Sequence, residues 1–387
     1  MPAALTAALA RRGVTVPRPI QARTLPDALA GRDVLGRAET GSGKTLAFGL
    51  ALLARLAAGA GEPGRRPRAL VLVPTRELAR QVHGELAPLA AALGLRALAV
   101  YGGSSLQDQA RALRRGTDVV VATPGRLRDL LRQRACSLAA VVVSVLDEAD
   151  HMADMGFLPV VSWLLDRVPA GGQRLLFSAT LDKDVDALVR RYLSDPRRHT
   201  VAPPAPGEAG AEHRFRSVTA TEKVAVAAEL AVGYDRVLLF VRTKYGAARL
   251  ARQLGRAGVR AGALHGNLAQ NARQRALAAF ESGAVPVLVA TDIAARGIHV
   301  DGIDLVVHFD PPAEHKAYLH RSGRTARGEA SGTVVTLVLP EQAAEVARLR
   351  MRVGVEPAPA PAGAGVPGRG TRRSVRRVRR RLAAVSR

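Results

Sequence analysis

The sequence predicts an α/β protein made of two tandem domains, each a mostly parallel sheet covered by helices. Three observations predict it. Short apolar, β-branched runs alternate with Ala/Leu/Arg stretches of helical composition, the pattern of a parallel sheet wrapped by crossover helices. That alternation occurs twice, on either side of a break rich in Pro, Gly and Ala. The 387 residues, 48% of them hydrophobic, are enough to give each half a core of its own.

Each element can be justified in order. "RDVLGRA" (32–38) reads as a short strand that leads through "AETGSGKT" (38–45) into the apolar helix "LAFGLALLARLA" (46–57). "ALVLVPT" (69–75), "DVVVATPGR" (118–126), "VVVSVLDEAD" (141–150) and "QRLLFSAT" (173–180) share one plan, an apolar run that ends in polar or turn residues. These belong to a first domain, residues 1–200. Residues 201–214 read as a linker. The second domain, 215–356, carries "RVLLFVRTK" (236–244), "VPVLVATDIAARG" (285–297), "IDLVVHFD" (303–310) and "GTVVTLVL" (332–339). Beyond it, "PAPAPAGAGVPGRG" and an arginine-rich end, together 357–387, lack the apolar residues for a core and are expected to be disordered.

Composition narrows the function classes. No apolar run is long enough to span a bilayer, since even the stretch 46–58 is interrupted by Arg55. The apolar N-terminal stretch precedes Arg11 and Arg12, the reverse of the order in a secretory signal. One cysteine, Cys136, supports neither a disulfide framework nor a thiolate metal cluster. A cytoplasmic protein without membrane partners is expected. The net charge is +24, and residues 357–387 contribute nine arginines and no acid, which leaves +15 for the rest. A basic body with a more basic end points to a polyanionic partner, nucleic acid first among them.

"AETGSGKT" sits between a strand and a helix, the setting a P-loop requires. Gly41 and Gly43 let backbone N–H groups turn toward phosphate oxygens at a helix N-terminus. Lys44 would reach the β- and γ-phosphates of ATP, and the Thr45 hydroxyl would ligate Mg²⁺. Ala38 stands where the pattern usually has its first glycine. Ala38, Glu39, Thr40, Gly41, Ser42, Gly43, Lys44 and Thr45 form the candidate cradle. At the end of the run 141–146 stand Asp147, Glu148 and Asp150, three carboxylates that would repel unless a positive group faces them. Lys44 and a metal ion supply it: Asp147 would hold Mg²⁺ through water, and Glu148 would orient or deprotonate an attacking water.

With these motifs in view, the sequence resembles the DEAD-box ATP-dependent RNA helicases of bacterial type. Residues 147–150 spell DEAD, and the motifs follow in family order up to about residue 339. The resemblance implies two tandem RecA-like domains, ATP and Mg²⁺ as cofactors, and a nucleotide held between the domains. "PRPIQ" (17–21) is similar to the Q motif, which implies that Gln21 reads the adenine edge. "PTRELA" (74–79), the pair Gly102 and Gly103, and "TPGR" (123–126) resemble RNA-backbone motifs, which implies contacts from Arg76, Gly103, Thr123 and Arg126; Arg242 and Thr291 match in the second half. "SAT" (178–180) implies that Ser178 and Thr180, with His320, couple hydrolysis to strand separation. "HRSGRTAR" (320–327) implies that Arg324 and Arg327 act as arginine fingers. Three positions depart from the family pattern: Val14 replaces an aromatic, no Phe precedes Phe48, and His299 replaces a motif aspartate.

The implied activity is local unwinding or remodelling of RNA duplexes by a monomer acting on single strands and short duplexes, with ribosomal or degradation ribonucleoproteins as further partners. Two other readings stay open on the sequence: an ATP-gated RNA clamp or ribonucleoprotein remodeller with little unwinding, and a DNA-directed translocase. Aromatics make up only 3% of the residues, so contacts to phosphates and 2′-OH groups are expected to outweigh base stacking.

Overall fold

A computed structural model of the chain describes residues 1–39, 41–59, 66–201, 211–295 (backbone only at Ile293), 300, 302–326 and 332–355. The expectations for Thr40, His299, Arg327 and residues 357–387 lie outside the described residues. The chain divides into two compact units, 1–203 and 204–387.

The first unit holds β1 (Val34–Arg37), β2 (Ala69–Leu72), β3 (Ala97–Val100), β4 (Val119–Ala122), β5 (Val143–Leu146), β6 (Gln173–Ser178) and β7 (Arg197–Thr200). They form a wholly parallel sheet in the order β3-β4-β2-β5-β6-β1-β7. Parallel neighbours need crossover connections, and helices supply them on both faces. The period of two along each strand sorts the side chains. Val71 and Val145 join the core beneath helices Pro19–Leu29, Lys44–Ala57 and Arg76–Ala91, whereas Leu70, Leu72 and Leu146 join the core on the other face. Helix Lys44–Ala57 is buried almost all round, with Phe48 tilted against Phe177 at 5.6 Å between ring centroids. That packing fixes the N-terminus of the helix at the carboxyl edge of the sheet, the end where such folds bind ligands.

The second unit repeats the plan with β8 (Ala211–Ser217), β9 (Val237–Phe240), β10 (Ala261–Leu264), β11 (Val287–Ala290), β12 (Leu305–His308) and β13 (Gly332–Val338). Their order is β10-β11-β9-β12-β13-β8, again all parallel. Strand β8 begins at Ala211, inside the segment the sequence assigns to a linker. Its seven residues pair with β13, and their side chains alternate between half-buried and exposed for most of its length. Among the described residues no helix is long and apolar enough to cross a membrane.

Candidate nucleotide site and nucleic-acid interface

The P-loop leaves β1 and turns into helix Lys44–Ala57 with Gly41 at φ +90° and Gly43 at φ +93°. Both are left-handed, so the loop is one that glycine permits and other residues resist. Lys44 is buried, and its ammonium donates to the Ala38 carbonyl at 3.2 Å and to Oε1 of Glu148 at 2.9 Å. Thus the cation sought for the carboxylates at the end of β5 is the P-loop lysine, 104 residues away in sequence.

The carboxylates differ in their surroundings. Glu148 caps the short helix Ala149–Asp154 in a left-handed conformation, φ 55° and ψ 49°. A non-glycine residue there stores strain, and the surrounding contacts hold it. Its Oε2 lies 2.9 Å from Nδ1 of His151, so each carboxylate oxygen has a cationic or imidazole neighbour. Burial works against the ionised Glu148, but Lys44 and His151 overcome it and hold the carboxyl well below its usual range. Burial also opposes the Lys44 ammonium; Glu148, Asp147 and Asp150 outweigh it, so Lys44 stays charged. Asp147 has no such clamp. Burial pushes it up to about 7 against the pull of Lys44, with Glu148 adding to the rise. Its Oδ1 accepts the Glu148 backbone N–H at 3.0 Å.

Asp150 faces the end of β6. Its Oδ2 accepts both the backbone N–H and the hydroxyl of Thr180, each at 2.9 Å. Ser178 receives the Asp150 backbone N–H at 3.2 Å and donates its own hydroxyl to the Thr180 carbonyl at 2.7 Å. The two motifs 147–150 and 178–180 are therefore one hydrogen-bonded unit, anchored to the P-loop strand where Ala38 N–H donates to the Ser178 carbonyl at 3.1 Å.

Gln21 is buried in the helix Pro19–Leu29. Its Oε1 accepts the Arg18 backbone N–H at 2.9 Å, and its Nε2 donates to the Gly43 carbonyl at 3.0 Å. The amide expected to read a base here braces the P-loop, with one further N–H at its disposal. Val14, at the position of the family's aromatic, packs against the core instead.

The remaining first-unit residues gather at the carboxyl ends of β2, β3 and β4. Arg76 starts helix Arg76–Ala91, capped by Thr75, whose hydroxyl accepts Leu78 N–H at 3.2 Å. A Cβ added at Gly102 would lie 3.1 Å from Nη2 of Arg76, so the glycine makes room for that guanidinium. Gly103 follows at φ +82°. Arg126 donates to the Ser104 carbonyl at 2.9 Å and to Oε1 of Gln109 at 3.1 Å. Its pKa is lowered by burial first, with the nearby Arg76 adding to the effect while Asp129 opposes it. Thr123 is buried at the N-cap of helix Pro124–Arg132. The sheet thus brings Arg76, Gly103, Thr123 and Arg126 together as a basic, backbone-rich edge suited to phosphates.

In the second unit Arg242 follows β9, and its N–H donates to Oδ2 of Asp310 at 2.9 Å. Thr291 follows β11 and is 9% exposed. Arg321 grips Asp292 bidentately at 2.6 and 2.7 Å, which ties the end of β11 to helix His315–Ser322. His320 is half-buried on that helix, and Arg324 is buried just beyond it.

Comparisons with known proteins bear on this geometry. Residues 18–188 match the DEAD/DEAH box helicase family, and residues 222–329 match the helicase conserved C-terminal domain. The crystal structure of the yeast DEAD-box splicing factor Prp28 is 30% identical, with a TM-score of 0.51 over 88% of this chain and 81% of that one. The chain belongs to the DEAD-box helicase family. S. cerevisiae Dbp5 bound to RNA and ADP BeF3 aligns with a TM-score of 0.81 at 26% identity, covering 92% of this chain and 93% of that one. ATP-dependent RNA helicase RhlB of Xanthomonas axonopodis pv. citri (strain 306) is 42% identical over 348 residues, 88% of this chain and 61% of that protein. The chain therefore spans about three fifths of the length of the RhlB sequences it matches.

Within this DEAD-box site, sequence reasoning missed three contributors. Asp150 is the acceptor that ties Ser178 and Thr180 to β5; its place in the DEAD motif was visible, its partners were not. His151 sits three residues after Glu148, a helical spacing that could have flagged the pair. Arg18 reaches the P-loop from the N-cap of the helix that carries Gln21; it lies inside the quoted PRPIQ, but residue type alone gives it no partner there.

Proposed function

We propose that the chain is an ATP-dependent RNA helicase that couples ATP binding and hydrolysis to local unwinding or remodelling of RNA duplexes. The observation that carries this reading is the Lys44–Glu148 contact of 2.9 Å at the end of the P-loop. A γ-phosphate entering the loop competes for the Lys44 ammonium. As Lys44 turns to the phosphates, Oε1 of Glu148 loses its cation and becomes free to accept a proton from, or orient, the attacking water. The lysine thus guards the base until nucleotide arrives. Glu148 keeps its orientation through His151 and its left-handed backbone.

Mg²⁺ fits the same site. Asp147 is a buried carboxylate pushed up to about 7, the condition a cation would reverse. The Thr45 hydroxyl bonds Glu85, and a hydroxyl that donates its proton still offers lone pairs to a metal. Magnesium there would neutralise phosphate charge, with water and phosphate completing its shell.

RNA is the proposed polyanion. The edge formed by Arg76, Gly103, Thr123 and Arg126, with Arg242 and Thr291 in the second unit, offers charge and backbone groups but few aromatics, which favours phosphate and 2′-OH contacts. Asp150, Ser178 and Thr180, hydrogen-bonded to one another next to Glu148, are the proposed coupling unit, with His320 as its counterpart in the second unit. A cytoplasmic setting is proposed, and one chain carries both the P-loop and the arginine motif, so a monomer suffices. Ribosomal or degradation ribonucleoproteins are the proposed assemblies. The test is ATP turnover with RNA and with DNA of the same sequence, alongside unwinding of a short labelled RNA duplex. Stimulation by RNA alone is expected. Equal stimulation by DNA would overturn the substrate assignment, and no turnover with either would overturn the enzyme assignment.

A further inference from the structure

Arg18 stands at the N-cap of helix Pro19–Leu29 with extended backbone angles, φ −71° and ψ 159°. Its guanidinium is directed at the P-loop, where Nη1 donates to the Gly41 carbonyl at 2.7 Å. Gln21, one helical turn on, donates to the Gly43 carbonyl at 3.0 Å. Two side chains of one short helix therefore hold two carbonyls of the phosphate loop, two residues apart. The fit is close. A Cβ at Gly43 would lie 2.6 Å from Nε2 of Gln21 and 2.9 Å from Cδ of Arg18.

Peptide planarity gives these contacts a consequence. In a trans peptide the carbonyl and the following N–H point in opposite directions. Fixing the Gly43 carbonyl, which also accepts Ala47 N–H at 3.3 Å along the helix, leaves the Lys44 N–H aimed out of the helix N-terminus. That is the direction from which a phosphate is bound. The Gly41 carbonyl belongs to the peptide two further out, whose N–H, that of Ser42, donates to the Glu39 carbonyl at 3.3 Å. There the helix offers no help, because Gly41 lies ahead of its first turn. Glycines with φ of +90° and +93° flank Ser42, so the intervening peptides have little preference of their own. The Ser42 N–H holds the Gly41–Ser42 peptide from within the loop, and Arg18 holds its carbonyl from outside.

We propose that Arg18 is a positioning residue of the nucleotide site, a hydrogen-bond donor that fixes the Gly41–Ser42 peptide of the phosphate loop in place before nucleotide arrives. The inference rests on the reading that the P-loop binds ATP. It extends the reach of the Q-like segment from the base-proximal glutamine to the geometry of the phosphate cradle. Binding energy is then not spent on ordering the loop.

Titration of a fluorescent ADP analogue into the full-length protein tests it. Arg18→Met keeps the aliphatic stem and removes the donor. Arg18 is exposed, so the variant should match the parent in thermal midpoint. Its Kd should rise about tenfold, the usual scale of one net hydrogen bond. The rise should persist from low to high salt, since orientation of a peptide is not screened. In turnover assays the loss should fall on KM more than on kcat, and Arg18→Lys should recover most of the affinity. An unchanged Kd in Arg18→Met would overturn the proposal, as would a difference that vanishes at high salt, which would mean that only charge is at work. Failure of the parent protein itself to bind the analogue would instead overturn the nucleotide reading.

Discussion

At the scale of single residues, Glu148 joins two unusual conditions: a left-handed backbone and a carboxylate clamped by Lys44 and His151. The clamp holds its carboxyl well below the usual range, and on the proposed reading exchange of Lys44 onto phosphate would release one oxygen. Two substitutions separate these roles. Lys44→Ala should abolish RNA-stimulated turnover and weaken nucleotide binding, because the phosphates lose their cation and Glu148 loses its guard. Glu148→Gln should retain nucleotide and RNA while hydrolysis falls by about 10²- to 10⁴-fold, the usual worth of a general base. Single-turnover hydrolysis with prebound ATP reads the second, and a rate within tenfold of the parent would remove Glu148 from the base role. Gly43 carries a third. Gly43→Ala forces a Cβ to within 2.6 Å of Gln21 at φ +93°, a conformation costing about 1–2 kcal/mol per non-glycine residue. The loop has to shift, and nucleotide affinity should fall severalfold, measured by the same titration.

At the scale of elements, among the described residues, all nine interior strands are visible in the sequence and all four edge strands are hidden. β3 and β7 flank the first sheet, β10 and β8 the second. An interior strand is covered on both faces and writes itself as a continuous apolar run, as Val119–Ala122 does. An edge strand needs only one partner and less cover. Arg197–Thr200 is mostly exposed, and Ala211–Ser217 mixes polar and apolar residues and begins inside a stretch that composition assigns to a linker. Charges on these edges also guard against strand addition. The site was legible to the same depth. Lys44, Asp147 and Glu148 follow from residue type and context, whereas Arg18 and the partners of Asp150 depend on contacts between elements far apart in sequence. One element predicts a pH response. His308 ends β12 fully buried, with Nδ1 3.1 Å from the Thr336 hydroxyl, and burial, helped by Arg321 and His213, holds its pKa well below the usual range. The unfolded chain takes up the proton near the ordinary histidine value, about 6.5, and the folded chain does not. Stability from this group is therefore present above about pH 6.5 and is lost as pH falls, by up to about 1.4 kcal/mol per unit. Hydrogen exchange of β12 in the full-length protein at pH 7.0 and 5.5 should show the loss, and His308→Gln should flatten it. Equal exchange free energies at the two pH values in the parent would contradict the assignment.

At the scale of the whole molecule, charge is divided between catalysis and binding. Arg327 lies outside the described residues, and its match to an arginine finger predicts that Arg327→Ala lowers turnover at saturating RNA by about 10³-fold. Normal hydrolysis in that variant would remove it from the reaction. The basic end makes the opposite prediction. Residues 357–387 carry nine arginines, no acid and no aromatic, so they offer neither a core nor a stacking surface, only cations. Each arginine that neutralises a phosphate on a single strand contributes roughly −0.7 to the slope of log K against log salt. If about half of the nine engage at once, removal of the segment should flatten that slope by roughly 3. Because contacts to phosphate carry no sequence information, the loss of affinity should be the same for unrelated RNAs. Turnover at saturating RNA should hardly change, since every residue assigned here to the reaction precedes residue 328. Titrations of a chain ending at residue 356, at two salt concentrations and with two RNA sequences, decide the matter. A flatter slope with equal losses on both RNAs would make the segment a phosphate anchor. Identical slopes with and without it would leave the nine arginines as a solubilising end with no hold on RNA.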